Sequence, residues 1–148
     1  MKSKIILIII SIILGISFTF FVLNKENIYA KEKYLVYAFQ VGAFKKEEYA
    51  QNYLNTLPSG IIQKENDLYK VYVAIYKDLD VINKMLVYFE DNDIKIYLKS
   101  IEISKDFDKK LNDYEELIKK SEDGNVYNKV NQNILNCYIE SANYDKNN

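Results

Sequence analysis

Amide, phenol and ammonium groups recur at alternate positions in three short segments of the chain. Gln40 follows Ala38 in the first, Leu68, Lys70 and Tyr72 form the second, and Lys95, Tyr97 and Lys99 the third. Such groups on one surface bind rather than catalyse: aromatic rings stack on CH faces, while amides and lysines meet hydroxyls or carboxylates. The acid–base candidates, Glu47, Glu48, Asp78 and Asp80, fall in expected first helical turns. Carboxylates there are ordinarily solvated and oppose the helix dipole. None sits in the apolar setting that makes a carboxyl a general acid. Histidine is absent, which excludes a Ser-His-Asp triad, a Cys-His dyad and a His-ligated metal. The single cysteine, Cys137, forms no internal disulfide or CxxC site and follows no lipobox, and the four glycines build no phosphate loop. The expectation is a protein that is not an enzyme, with no catalytic residue, cofactor or metal.

A repeat positions these groups. Shifted by 32 residues, Tyr37, Phe39, Val41, Phe44 and Lys45 lie over Tyr69, Val71, Val73, Tyr76 and Lys77. Each copy opens with period-two alternation, a strand signal, and continues into a charged stretch. Ala50, Tyr53, Leu54 and Leu57 then fall at i, i+3, i+4 and i+7, as do Ile82, Met85, Leu86 and Phe89, giving one apolar helical face twice. Pro58-Ser59-Gly60 ends the first helix, residues 61–65 read as a strand, and Asn66-Asp67 turns the chain into residues 68–76. Asp91-Asn92-Asp93 ends the second helix, and residues 94–103 read as the last strand. The order β-α-β-β-α-β predicts an α+β fold, a ferredoxin-like split βαβ. Parity directs Phe39, Val41, Val71, Val73, Ile94, Ile96 and Leu98 to the helices. The opposite face carries Ala38, Gln40, Leu68, Lys70, Tyr72, Lys95, Tyr97 and Lys99, with no element of the repeat to cover it.

Residues 5–23 are 19 consecutive uncharged residues, mostly Ile, Leu, Phe and Val. As a helix they would extend about 28 Å, the thickness of the hydrocarbon core. Lys2 and Lys4 precede the run and Ala30 offers a cleavage point. The run is longer than a typical signal peptide's apolar stretch, which favours an uncleaved anchor. The expected layout is a cytoplasmic tail at 1–4, a transmembrane signal-anchor at 5–23, a linker at 24–33 and the bulk of the chain extracytoplasmic. Beyond Ala30 the chain carries 17 Lys against 20 acidic residues, a net charge of −3, a poor match for nucleic acid. All 20 basic residues are Lys, and Ile and Asn are abundant, a skew that resembles an AT-rich coding sequence.

Downstream of the repeat, Phe107, Leu111, Tyr114 and Ile118 give an amphipathic helix with Ser104 or Asp106 as N-cap. Residues 121–125 break it. Val126 or Tyr127, Val130, Ile134 and Cys137 or Tyr138 give a second. Residues 104–143 therefore read as a helical hairpin packed on itself or on the neighbouring domain, with Cys137 buried and residues 144–148 frayed.

The motifs Phe39-Gln40-Val41-Gly42-Ala43-Phe44, Glu48 and Ala50, and Asp67-Leu68-Tyr69-Lys70-Val71-Tyr72-Val73-Ala74, with the helix after Tyr76-Lys77-Asp78, occur in the order and spacing of one module. Over residues 34–103, behind a single span, the chain resembles the SPOR domain, the sporulation-related repeat of bacterial envelope proteins. The resemblance implies binding of septal peptidoglycan, with glycan strands lacking stem peptides held on the open sheet face. It places Gln40 at the family's glutamine, Ala43 where serine is common and Leu68 where an aromatic is common. Lys70 stands for the frequent arginine, keeping the charge without the planar fork. Tyr72 and Tyr97 are the implied stacking groups, and Lys70 or Lys99 would meet a muramic lactate carboxylate. The membrane and division or sporulation proteins are the implied further partners. The alternative is an envelope scaffold that acts through its span and helical hairpin, with a degenerate glycan site.

Overall fold

The computed structural model describes residues 33–146. They form an α+β unit with a four-stranded antiparallel sheet and four helices. In chain order these are β1 (Lys33–Phe44), α1 (Glu47–Leu54), β2 (Ile61–Glu65), β3 (Leu68–Tyr76), α2 (Leu79–Asp91), β4 (Tyr97–Ser104), α3 (Lys105–Lys120) and α4 (Gly124–Lys146). No helix among the described residues is long and apolar enough to cross a membrane. The expected span at 5–23 and its flanking tail lie outside them, as does the linker before Lys33.

The sheet order is β2-β3-β1-β4. β1 pairs with β4 in regular register from Lys33↔Ser104 to Gln40↔Tyr97. Its ladder with β3 is irregular at one place, stepping from Phe39↔Ala74 to Gln40↔Tyr72 to Gly42↔Val71. Such a bulge passes a side chain from one face to the other without changing the strand's partner. Asn66, at φ 54°, makes the expected turn between β2 and β3, which sets Glu65 opposite Leu68 and Gln63 opposite Lys70.

One face packs on α1 and α2. Phe39 lies 6.0 Å from Phe89 of α2 and Phe44 lies 5.5 Å from Tyr53 of α1, ring centroid to centroid. Val81, Ile82, Met85 and Phe89 are the buried stripe of α2, and Asp78 caps that helix by accepting from the N–H groups of Asp80 and Val81. Asp93, at φ 58°, stops the helix, and the Ile94 N–H returns to the Phe89 carbonyl. That geometry corrects the expected start of the last strand from 94 to Tyr97, because Ile94 is spent on a helix C-cap.

The expectation of an uncovered second face is also corrected. Val36, Ala38, Tyr72 and Ile103 are buried, and α3 and α4 supply the cover. β2 pairs with β3 only as far as Tyr72, so the edge of β3 beyond it lacks a strand neighbour. α4 runs there. Gln132 accepts from the Gly60 N–H at 3.1 Å, and Asn131 accepts from the Tyr76 hydroxyl. All six residues of β3 from Val71 to Tyr76 are consequently buried. Ser104 caps α3 as expected, accepting from the Phe107 N–H. Phe107, Leu111, Ile118, Tyr127, Val130 and Ile134 are buried. The hairpin therefore packs on the sheet as well as on itself. Cys137 is only half-buried, against the expectation, 3.5 Å from the Tyr114 hydroxyl. α4 also continues to Lys146, past the expected fray at 144.

Candidate ligand-binding face

The face shared by Ala38, Gln40, Tyr97 and Lys99 on one side and Tyr72 and Lys70 on the other is continuous across β4, β1 and β3. The bulge makes it so, by bringing Gln40 opposite both Tyr97 and Tyr72. Its polar centre is a residue that the strand alternation left out, Glu65 at the end of β2. The Glu65 carboxylate accepts from Tyr72 Oη at 2.6 Å and from Lys70 Nζ at 2.8 Å, and it also pairs with Lys99. Lys99 Nζ donates to Tyr72 Oη at 3.1 Å and lies 5.8 Å from the Tyr72 ring centroid. Three of the expected site residues, Lys70, Tyr72 and Lys99, thus meet on one carboxylate. Glu65 was findable from the two-residue Asn66-Asp67 turn, since that turn puts Glu65 on the face of Lys70.

The electrostatics follow from these contacts. Burial alone would raise the Glu65 carboxyl, but hydrogen bonds from Lys70, Lys99 and Tyr72 outweigh it and hold its pKa down at about 2, from an ordinary 4.5. Burial, together with the neighbouring carboxylate, pushes the Tyr72 phenol well up. The hydrogen bond to Glu65 raises the Lys70 ammonium. The Glu65 carboxylate is therefore ionised at neutral pH, and with two lysines around it the cluster has a formal surplus of one positive charge.

The expected site residues separate by accessibility. Tyr72 is 2% exposed, with Tyr138 of α4 within electrostatic reach, which corrects its role: its ring is buried and is not an open stacking surface. Tyr97 is 53% exposed, with Lys95 Nζ 5.3 Å from its ring centroid. Gln40, Leu68, Lys70 and Lys99 are half-buried, and Ala43 is exposed opposite Lys70. The reachable groups are an amide, one aromatic ring and two lysines, a set suited to sugar hydroxyls and a carboxylate. Among the described residues no cluster of Asp, Glu or Cys is arranged to hold a metal ion.

A second carboxylate marks how the hairpin is tied to the rest. Glu115 of α3 is buried and accepts from the N–H groups of Lys77 and Asp78 at 2.7 and 2.9 Å. Lys119 pairs with Asp78 at 2.6 Å, and Lys84 donates to the Ser121 carbonyl at 2.6 Å. Burial raises the Glu115 carboxyl despite those two donors.

No protein-family model, curated protein or solved structure matches the chain.

Proposed function

We propose that this chain is a non-catalytic peptidoglycan-binding module, anchored by residues 5–23 with its C-terminal domain outside the membrane. In this reading residues 34–103 are a ferredoxin-like, SPOR-like module that holds glycan strands lacking stem peptides. It localises the protein to the division septum or the sporulation membrane. The observation that carries the reading is the β1–β4 register, which sets Gln40 beside an exposed Tyr97 and puts Lys99 on the same face, with Lys70 across the bulge. Tyr97 offers a ring to a sugar's CH face, Gln40 an amide to its hydroxyls, and the surplus positive charge an attraction for a lactyl carboxylate.

The test is co-sedimentation with sacculi, intact and amidase-treated. Binding that rises after stem peptides are removed supports the reading. Absence from both preparations refutes it. Protease added to intact protoplasts tests the topology, because full protection would place the domain in the cytoplasm and remove the glycan reading.

A second reading, an envelope scaffold with a degenerate glycan site, draws support from the burial of Tyr72 and from the hairpin laid over part of the face. It requires recruitment of division or sporulation proteins that survives loss of Gln40 and Tyr97.

A further inference from the structure

Large apolar side chains stand open on the opposite, Phe39-bearing face of the sheet, on the side of β4. The β1–β4 register sets Leu35 opposite Glu102, Tyr37 opposite Ser100 and Phe39 opposite Leu98. Leu35, Tyr37 and Leu98 therefore follow one another along that face. Leu35 is 64% exposed and Leu98 46%. Leu79, 69% exposed, opens α2 just after Tyr76, the cross-strand partner of Tyr37. Isolated apolar residues on a surface need no explanation, but a contiguous set marks an interaction surface.

The sequence supplies the partner. β1 begins at Lys33, and only residues 24–32 separate it from the apolar run at 5–23. Nine residues reach at most about 30 Å when fully extended. On the anchor reading, that reach limits how far the start of β1 could stand from the bilayer.

We propose that Leu35, Tyr37, Leu79 and Leu98 form a lipid-facing surface that seats the folded unit on the membrane anchoring it. The inference rests on the anchor reading given above. Its chemistry is that of interfacial binding: leucines bring apolar area to the acyl boundary, and tyrosine is enriched at headgroup depth. The orientation it imposes serves the proposed ligand. Gln40, Tyr97 and Lys99 lie on the other face of the sheet, so seating the Leu98 face on lipid turns them away from the bilayer and toward the wall.

The chain has no tryptophan, so single Trp probes report without background. Leu98→Trp, Leu79→Trp and, on the opposite sheet face, Tyr97→Trp are made in the full chain and reconstituted into vesicles of anionic and zwitterionic phospholipid. Quenching by lipids spin-labelled near the headgroup should strike the Leu98 and Leu79 probes and spare the Tyr97 probe. Protein that withstands an alkaline wash but shows no quenching at either position overturns the lipid surface alone. Equal quenching at all three does the same. Protein released by the wash overturns the anchor reading and this inference with it. Shielding that follows the protein-to-lipid ratio rather than the spin label assigns the stripe to a second copy of the chain and overturns lipid as its partner.

Discussion

Glu65→Gln tests the polar centre of the candidate face and its energetics together. The substitution keeps an acceptor for the Tyr72 hydroxyl but removes the charge that pairs with Lys70 and Lys99. The gap between 4.5 and about 2, at about 1.4 kcal/mol per pH unit, amounts to about 3 kcal/mol. The Glu65 side chain is 26% exposed, and solvent screens part of that, leaving an expected loss of about 1–2 kcal/mol at neutral pH. For a domain of this size that is roughly 3–10 °C in melting temperature. The pH dependence has a definite sign. Because the folded-state pKa is depressed, the stabilisation is complete above 4.5, declines as pH falls toward about 2, and is gone below that. Thermal melts of parent and variant should therefore differ by a constant amount near neutrality and converge in that acid window. Other carboxylates, such as Asp78 and Glu122, titrate in both proteins and cancel from the difference. A difference that stays constant down to the lowest pH, or no difference at neutral pH, refutes the charge-network account. On the ligand side, Glu65→Gln leaves Lys70 and Lys99 without their counter-ion. Retention of an acidic glycan should rise and become more sensitive to salt.

Glu115→Gln keeps the acceptor for the Lys77 and Asp78 N–H groups while removing a buried charge. Because burial raises this carboxyl, the ionised form loses stability as pH rises through its folded pKa, so urea melts should show the Gln variant gaining on the parent with rising pH, while Glu115→Ala loses about 1–3 kcal/mol. Tyr72→Phe should cost about 1 kcal/mol through the lost bond to Glu65, and Tyr72→Ala about 3–5 kcal/mol through a cavity; an unchanged melt for Tyr72→Ala would show that the ring is not buried. A chain ending at Ser104 exposes the sheet face that α3 and α4 cover and should precipitate or melt early; a soluble, cooperatively melting product contradicts the burial pattern. Gln40→Ala and Tyr97→Ala should melt like the parent but bind peptide-stripped sacculi more weakly by about 1 kcal/mol, roughly fivefold in Kd; undiminished co-sedimentation of both removes this face as the glycan site.

The order of strands and helices was legible because its signals are local. Period-two runs at 37–41 and 69–73, helical spacing at Ile82, Met85 and Phe89, and the Asn66-Asp67 turn each act over a few residues, and each appears where the pattern put it. Parity also placed Gln40, Lys70, Tyr72 and Lys99 on one face. That held across the bulge near Val41, whose shift is compensated between β1 and β3. The misread features depend on contacts distant in the chain. The burial of Tyr72 depends on cover from outside the repeat, where Tyr138 of α4 lies within electrostatic reach, and that cover leaves no mark in the alternation of β3. Glu115 sits among charged residues of α3, and only its reach to the Lys77 and Asp78 N–H groups explains why it is buried. Ile94 reads as a strand residue by composition, yet its N–H closes the end of α2.

If the face takes a glycan as proposed, the helical layer sets the size of ligand it can hold. With Tyr72 withdrawn, the reachable groups run from Lys70 on β3 through Gln40 on β1 to Tyr97 and Lys99 on β4. Adjacent strands lie about 4.8 Å apart, so this row spans about 10 Å across the sheet. A glycan meeting all of it must cross the strands rather than follow them, and it touches the protein over a short stretch only. One aromatic ring, one amide and two partly neutralised lysines give a weak single site. On the proposed anchor reading, confinement of every copy to one membrane, facing a polymer that repeats its own binding unit, would compensate by another route. Under those conditions effective concentration, not the affinity of one site, determines retention. Modest affinity at each site would then leave bound copies able to exchange along the strand, as the septal or engulfment role proposed above requires.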